Sequence, residues 1–316
     1  MPSKHAAVAA GTQAKPPPKV LAKPTPASPT KVPLPSLLLL GTMANLGLLY
    51  FTSTSPAPVQ ILYPARVFFM VSAFRCAFPC RYKGNIVYRD TWLSSIMLTR
   101  VLATAAEVCW IYQLGWLAMN TLQGNARVFV LANCMLLAVF ISQTCAWLAV
   151  LSGTTSLMFW AELCWALVFA LNTAANYLCA SAMAPWNILI GPVRMSLVIG
   201  ALYLPWQCGF HLPKLYRDRR KEQRARVSSR KATSTLAKTT WGNVRRAAVH
   251  RVPTTKWDAW GGLVGAIWMF SCWGLLPLWH LYLVQTIPNL WGAAGETWEG
   301  SRYHGTTHRG TVHGLG

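Results

Sequence analysis

Two short stretches of the sequence share one pattern of residues, and each contains an acidic side chain. Residues 106–110 read Ala-Glu-Val-Cys-Trp, and residues 161–165 read Ala-Glu-Leu-Cys-Trp. Both stretches lie inside long apolar segments, so Glu107 and Glu162 are acids within predicted membrane spans. A charged side chain near the centre of a bilayer costs roughly 3 kcal/mol or more, and it therefore faces the interior of a helix bundle. Such a carboxylate can accept a proton or bind a cation or a basic substrate.

The two pentads are also a candidate internal repeat. A fainter copy, Phe-Ser-Cys-Trp, occupies residues 270–273. The three copies fall in predicted helices that cross the membrane in the same direction, which fits a two-helix unit repeated in parallel. Chance similarity in a chain rich in tryptophan and cysteine is the alternative.

Several polar residues in the apolar segments are candidate partners for the two glutamates. Arg100 precedes Glu107 by about two helical turns on nearly the same face, and Thr104 lies between them. We therefore predict a polar interior site that consists of Glu107, Glu162, Arg100, Arg194, Thr104, Gln143 and Asn176. This site has two interpretations: the carboxylates neutralise Arg100 and Arg194 and fix helix packing, or they line a path for a proton, a cation or a basic substrate.

The composition excludes an ordinary soluble enzyme. The chain has 316 residues, of which 53% are apolar and 12% are charged, whereas a soluble domain carries about 25% charged residues. The charge is also unbalanced, with 29 Lys and Arg against 8 Asp and Glu. Basic blocks alternate with apolar blocks, as they do in a multi-spanning membrane protein.

The apolar segments predict an all-α bundle of about seven transmembrane helices. A span needs about 20 largely apolar residues to cross a core of about 30 Å. Seven spans place the Lys-rich N-terminal tail, residues 79–91 and the basic segment 212–256 on one side of the membrane, and six spans do not. We therefore expect the N-terminus in the cytosol and the C-terminus outside. The predicted spans are 37–51, 59–78, 92–119, 128–152, 156–183, 188–207 and 257–284.

The remaining segments are predicted to lie outside the membrane. Residues 1–35 are rich in Lys, Pro and Ala and read as a disordered tail, either retained in the cytosol or used for plastid targeting. Spans one to six occupy residues 36–211, and the seventh occupies 257–286. Residues 287–316 are a flexible tail rich in His and Gly.

The segment 212–256 is predicted to be a basic cytosolic loop. It holds 14 of the 29 cations and two acids. Its main role is to fix topology, and it also suits anionic lipid headgroups or a protein partner. Nucleic acid is an unlikely ligand, because this segment contains few aromatic rings among its bases. The candidate binding residues are Arg217, Arg219, Arg220, Lys221, Arg224, Arg226, Arg230 and Lys231.

No motif for a cofactor, a metal or nucleotide hydrolysis stands out in the sequence. The histidines are scattered, and His280 alone lies in a predicted span, so we expect neither a metal site nor a cofactor. Our leading hypothesis is a transporter or channel for a small solute or ion that uses the intramembrane carboxylates. The alternatives are a membrane scaffold or assembly factor with a basic binding loop, and a membrane-embedded lipid-modifying enzyme, for which a nucleophile and base are lacking.

Overall fold

The computed structural model describes residues 34–82, 84–183, 189–228 and 236–287. The structure is mostly helical (85%), and short 3-10 and π segments join some of its helices. In chain order the α-helices of the described residues are α1 (Leu34–Phe51), α2 (Val59–Ala77), α3 (Ile96–Thr121), α4 (Ala126–Ser152), α5 (Thr155–Ala182), α6 (Ile190–Trp206), α7 (Leu212–Ser228), α8 (Leu236–Val249), α9 (Gly262–Phe270) and α10 (Leu276–Thr286).

Five helical segments of the described chain are long and apolar enough to cross a membrane. They are Pro35–Thr54, Ile96–Thr121, Ala126–Ser152, Thr155–Ala182 and Gly262–Thr286. The other two predicted spans are α2, which carries Arg66 and Arg75, and α6, which has 17 residues. The helices fit an all-α membrane bundle and an integral membrane location, whereas the count of seven and the orientation of the termini stay predictions.

Local capping explains where the central helices begin and end. The Ser95 hydroxyl accepts a hydrogen bond from Leu98 N and caps α3, and Asn125 Oδ1 accepts from the first amides of α4 at 3.0 and 3.2 Å. Gly153, with φ 67°, ends α4 in a left-handed conformation that glycine adopts without strain. These short connections fold α3, α4 and α5 into consecutive antiparallel hairpins.

The core lies where α2, α3, α5 and α10 meet. Phe69, Ile111, Phe169 and Leu283 are fully buried within one apolar cluster. Pro64 lies inside α2 and has no N–H, so the helix loses one hydrogen bond there. Close to this site, Gln113 of α3 donates a hydrogen bond to the carbonyl of Ile61. The Gln113 side chain also contacts the buried ring of His280 from α10. A polar chain thus ties three helices together inside the apolar core.

In the residues that the structure describes, the basic segment 212–256 contains two helices and a strand. A π-helical turn at Gln207–His211 joins α6 to α7, so no break separates the apolar helix from the basic one. The next helix, α8, packs on the end of α4, where Asn243 donates to the Ser152 carbonyl. Downstream, Val252–Pro253 forms β3.

A three-stranded sheet joins the connection between α2 and α3 to the segment that follows α8. Strand β1 (Cys80–Arg81) pairs antiparallel with β2 (Ile86–Val87), and β3 pairs parallel with β2. Arg251 holds the Asp90 carboxylate at 2.8 Å, and Arg81 donates to the carbonyl of Ala259. The connection between α2 and α3 and the segment before α9 therefore lie at the same end of the bundle.

Candidate functional site

Glu107 lies at the centre of a hydrogen-bonded cluster between α3 and α4. Arg100, Thr104 and Glu107 share one face of α3, since they are spaced by four and three residues. Arg100 Nη2 lies 3.1 Å from Glu107 Oε2, and Gln143 Nε2 donates to the same oxygen at 2.7 Å. Arg100 also donates to Gln143 Oε1. We refer to these residues, with Trp147, as the Glu107 cluster.

Hydrogen bonds extend the Glu107 cluster toward the start of α3. Thr104 Oγ1 donates to Gln143 Oε1 at 3.1 Å, and Trp147 Nε1 donates to Thr104 Oγ1 at 3.0 Å. The side chain of Arg100 is 7% exposed and that of Glu107 is 22% exposed. The charge of the buried guanidinium thus meets a carboxylate of opposite charge and a carboxamide oxygen, which offset the cost of removing it from water.

Glu162 lies in a second cluster, between α5 and the π turn after α6. Gln207 is fully buried, and its Nε2 donates to the Glu162 carbonyl at 2.9 Å and to Glu162 Oε2 at 3.0 Å. His211 Nε2 lies 3.6 Å from the same carboxylate oxygen, with the two side chains 30% and 20% exposed. We call Glu162, Gln207 and His211 the Glu162 cluster. Among the described residues no lysine or arginine forms an ion pair with this glutamate.

The two clusters repeat one arrangement. In each, the glutamate of a pentad receives a hydrogen bond from a glutamine that the following part of the chain supplies: Gln143 on α4 for Glu107 and Gln207 after α6 for Glu162. The clusters differ in the basic side chain beside the carboxylate, which is the Arg100 guanidinium in the first and the His211 imidazole in the second.

Aromatic packing joins α5 and α6. The Tyr203 ring of α6 packs on Phe169 of α5, with centroids 4.1 Å apart, and both rings belong to the main apolar cluster.

Two arginines, one of α2 and one of α3, lie over aromatic rings. The Arg75 guanidinium lies 5.2 Å from the centre of the Trp273 ring. Arg100 lies over the ring of Tyr82, at 5.8 Å, in the connection between α2 and α3. Burial raises the pKa of the Tyr82 phenol, which keeps that group neutral beside the two cations.

Two predicted site residues lie away from the carboxylates. Asn176 is buried farther along α5, where it donates to Asn172, and Asn172 in turn donates to Ser196 Oγ of α6 at 3.0 Å. It shares a face with Glu162 but lies about 21 Å along the helix from it. Arg194 is on the exposed face of α6, one to two turns from its start. These positions give Asn176 a role in the α5–α6 contact and leave Arg194 outside the interior.

The basic candidates fall into three groups. Arg217, Arg220, Lys221 and Arg224 are exposed on α7. Arg219 is half-buried and lies over the rings of Phe159 and Trp160. The side chain of Arg226 and the residues Arg230 and Lys231 lie outside the described part of the chain.

The sequence did not point to Trp147, Gln207 or His211. Gln207 ends a predicted span and His211 follows it, so neither carried the signal of a polar residue in mid-membrane. The available signal was the order of residues, because the predicted span that follows each pentad contains a glutamine, Gln143 in 128–152 and Gln207 at the end of 188–207.

The described residues contain no group of three or more His, Cys, Asp or Glu side chains that could hold a metal ion. An open depression of about 500 Å³ lies at the opposite end of α5 from Glu162, with Asn125, Arg127 and Ser181 among its lining. No model of a known protein family matches the chain, and neither curated proteins nor solved structures gave a match.

Proposed function

We propose that this chain is a membrane protein with seven spans that moves a small solute or ion through its polar interior. The pairing of β2 with β3 supports the span count, since it brings the segment before α3 and the segment after α8 to one end of the bundle. If α3, α4 and α5 each cross the membrane, the chain returns to that end only when α6 crosses as well. α2 completes the seven, because it packs inside the bundle against α3 and α10.

The orientation rests on the cations. The N-terminal tail, the α2–α3 connection and the basic segment 212–256 then share the cytosolic side, in agreement with the excess of Lys and Arg in these parts. The C-terminus lies on the other side. A C-terminal tag that is digested by protease from the cytosolic side would contradict this orientation.

Within this frame we assign different tasks to the two carboxylates. Glu107 has a permanent cation, Arg100, and stabilises the bundle. Glu162 carries the transport hypothesis, because no lysine or arginine of the described residues forms an ion pair with its carboxylate and the basic side chain beside it is the imidazole of His211. A proton or a small cation can therefore exchange at Glu162 without leaving a buried arginine unpaired.

Flux measurements on the reconstituted full chain test this function. Proteoliposomes that hold a pH-sensitive dye report proton flux under a potential clamped with potassium and valinomycin, and sodium and potassium gradients extend the assay to other cations. We expect Glu162→Gln to lose at least about tenfold of the wild-type flux while its melting temperature stays near that of the wild type. Glu107→Gln serves as the matched variant and primarily lowers stability. Wild-type flux in a folded Glu162→Gln protein, or no flux of any of these ions in the wild type, would contradict the proposal.

The Arg100–Glu107 pair also supports a second candidate function, a membrane scaffold whose basic segment binds lipid or a protein partner. In that case both glutamates only stabilise helix packing. The scaffold predicts that charge reversal at Glu107 lowers the melting temperature and that neutralising exposed cations of α7 removes captured partners. Loss of flux in a stable Glu162→Gln protein would decide against it.

A further inference from the structure

The helix formed by α6 and α7 extends beyond the membrane core. α6, the π turn and α7 have 17, 5 and 17 residues, which corresponds to about 58 Å at about 1.5 Å per residue. A hydrocarbon core is only about 30 Å thick. α7 therefore passes through the headgroup layer and into water.

Contacts with the first two turns of α5 hold α7 in place. Glu222 Oε2 accepts a hydrogen bond from the amide of Thr155, the first residue of α5, at 3.0 Å. The rings of Phe159 and Tyr216 lie 6.0 Å apart. The start of α5 and the side of α7 thus form one defined surface.

Two arginines of α7 lie on aromatic rings of this surface. The Arg219 guanidinium is 5.5 Å from the centre of the Phe159 ring and 5.6 Å from that of Trp160. Arg220 lies 4.8 Å from the centre of the Tyr216 ring. Aromatic rings hold a guanidinium without using its N–H groups, which stay available to match the geometry of a phosphate.

The depth of this surface matches the lipid headgroups. α5 has 28 residues, or about 42 Å, which spans the core and both headgroup regions. Its first two turns therefore lie at the interface, where tryptophan and tyrosine are favoured. From Trp160 an exposed apolar stripe continues along α5 through Leu163 and Leu167 toward the middle of the membrane.

We propose that an anionic phospholipid binds here. Its phosphate contacts Arg219 and Arg220, and one acyl chain follows the stripe of Trp160, Leu163 and Leu167. The position of the stripe directly below two arginines favours a lipid over a soluble phosphate, because the apolar face and the cationic end fit the two parts of one molecule. This site goes beyond the transport function and does not depend on Glu162.

Binding of spin-labelled lipids to the purified full chain in detergent micelles tests the site. The probes are phosphatidic acid and phosphatidylcholine with the same labelled acyl chain, and the signal is the immobilised fraction. We expect Arg219→Gln combined with Arg220→Gln to weaken phosphatidic acid binding by about tenfold or more, since each cation near a headgroup contributes about 1 kcal/mol. Phosphatidylcholine binding should change by less than about twofold.

Lys214→Gln combined with Lys221→Gln is the matched control. It removes the same charge from two exposed positions of α7 that lie at least about 100° around the helix from both Arg219 and Arg220, and it should weaken binding by less than about threefold. Arg219→Lys combined with Arg220→Lys keeps the charge and loses the forked donor geometry of the guanidinium, so binding should still fall clearly below that of the control. Melting temperatures establish that each variant is folded.

Three outcomes would overturn the proposal. If the two glutamine double variants lose phosphatidic acid binding equally, the overall positive charge of α7 binds the lipid and no defined site exists. Wild-type binding by the lysine double variant would lead to the same conclusion. Competition by inorganic phosphate or by an RNA oligonucleotide at low millimolar concentration would mean that the surface binds a soluble anion and not a lipid.

Discussion

The indole rings of Trp110 and Trp165 lie 6.1 Å apart between α3 and α5, with their planes inclined by 33°. Each tryptophan is the last residue of its pentad, so the two copies of the sequence pattern meet at their final residues. Phe169 contacts both rings, at 5.4 and 6.1 Å. The repeated residues therefore occupy equivalent places in two neighbouring helical hairpins, and each pentad directs its glutamate to a glutamine of its own hairpin.

The contact between Trp110 and Trp165 predicts that the stability losses of their alanine variants are not additive. Trp110→Ala should lower the free energy of unfolding by about 3–5 kcal/mol, since the side chain is 8% exposed in a packed core. Trp165→Ala should cost less, because this ring is only partly buried. The double variant should lose about 0.5–1.5 kcal/mol less than the sum of the single variants, which is the usual energy of an aromatic pair.

Denaturant unfolding in a mild detergent measures these values. Trp92→Ala is the control, since its side chain is 71% exposed and its loss should change stability by less than about 0.5 kcal/mol. Strictly additive losses at Trp110 and Trp165 would contradict a direct contact between the two rings.

Much of the architecture follows from the sequence, because uninterrupted apolar stretches leave few alternatives. The bounds of α4 and α5 differ from the predicted spans by two residues or fewer at each end. The place of Glu107 beside Arg100 also follows from helical spacing, although only the structure shows that the long arginine side chain and Gln143 together close the distance of two turns.

Other features depend on tertiary contacts that carry no local signal. The strands of the small sheet have two residues each, which is too short for an alternating pattern. The sequence does not distinguish a helix that stops at Gln207 from the observed helix, which continues through a π turn into α7. A charge inside an apolar segment predicts an inward-facing Arg194, but the residue is exposed, because a cation near a helix end can reach the membrane surface instead.

The Glu107 cluster predicts that one missing partner costs more than two. Glu107→Leu leaves the buried Arg100 without its carboxylate and should lower the free energy of unfolding by about 3–5 kcal/mol. Replacing both residues, with Arg100→Leu added, should restore most of that loss, because no buried charge then remains. Thermal unfolding followed by circular dichroism provides the measurement.

Asn133→Leu is a suitable control for this pair. Asn133 is exposed on α4 and bonds only within its own helix among the described residues, so its replacement should leave the melting temperature nearly unchanged. If the double variant is no more stable than Glu107→Leu, the pair does not act as a neutralised unit.

The close approach of Gly200 on α6 to Thr173 on α5 predicts that a substitution at Thr173 restores the stability lost in Gly200→Ala. A Cβ atom at this position would overlap Thr173 Oγ1, far inside van der Waals contact. Gly200→Ala should therefore cost about 1–3 kcal/mol through overpacking. Thr173→Ala removes the clashing oxygen, and the remaining Cβ at 3.4 Å is compatible with an alanine at 200, so the double variant should recover most of the loss. Gly47→Ala is the control, since a Cβ added there would have no atom within 4 Å outside its own helix turn. If Gly200→Ala and the double variant are equally unstable, the contact with Thr173 is not the cause.

Cys80, in the first strand of the sheet, predicts a loss of stability at alkaline pH. Burial raises the pKa of its thiol above the ordinary value of 9.0, so the folded protein retains a proton that the unfolded chain releases. Its contribution to stability is complete below about pH 9 and is lost as the pH rises from there through the higher pKa of the folded state. Between these two values the free energy of unfolding should fall by up to about 1.4 kcal/mol per pH unit because of this group.

Denaturant unfolding at pH 8 and pH 10 measures this effect. The free energy of unfolding should fall less between these pH values in Cys80→Ala than in the wild type. Cys208→Ala, at an exposed cysteine, is the control and should show the same fall as the wild type. Rapid alkylation of Cys80 by a maleimide in the folded protein at pH 8 would contradict this environment, since a protonated and buried thiol reacts slowly.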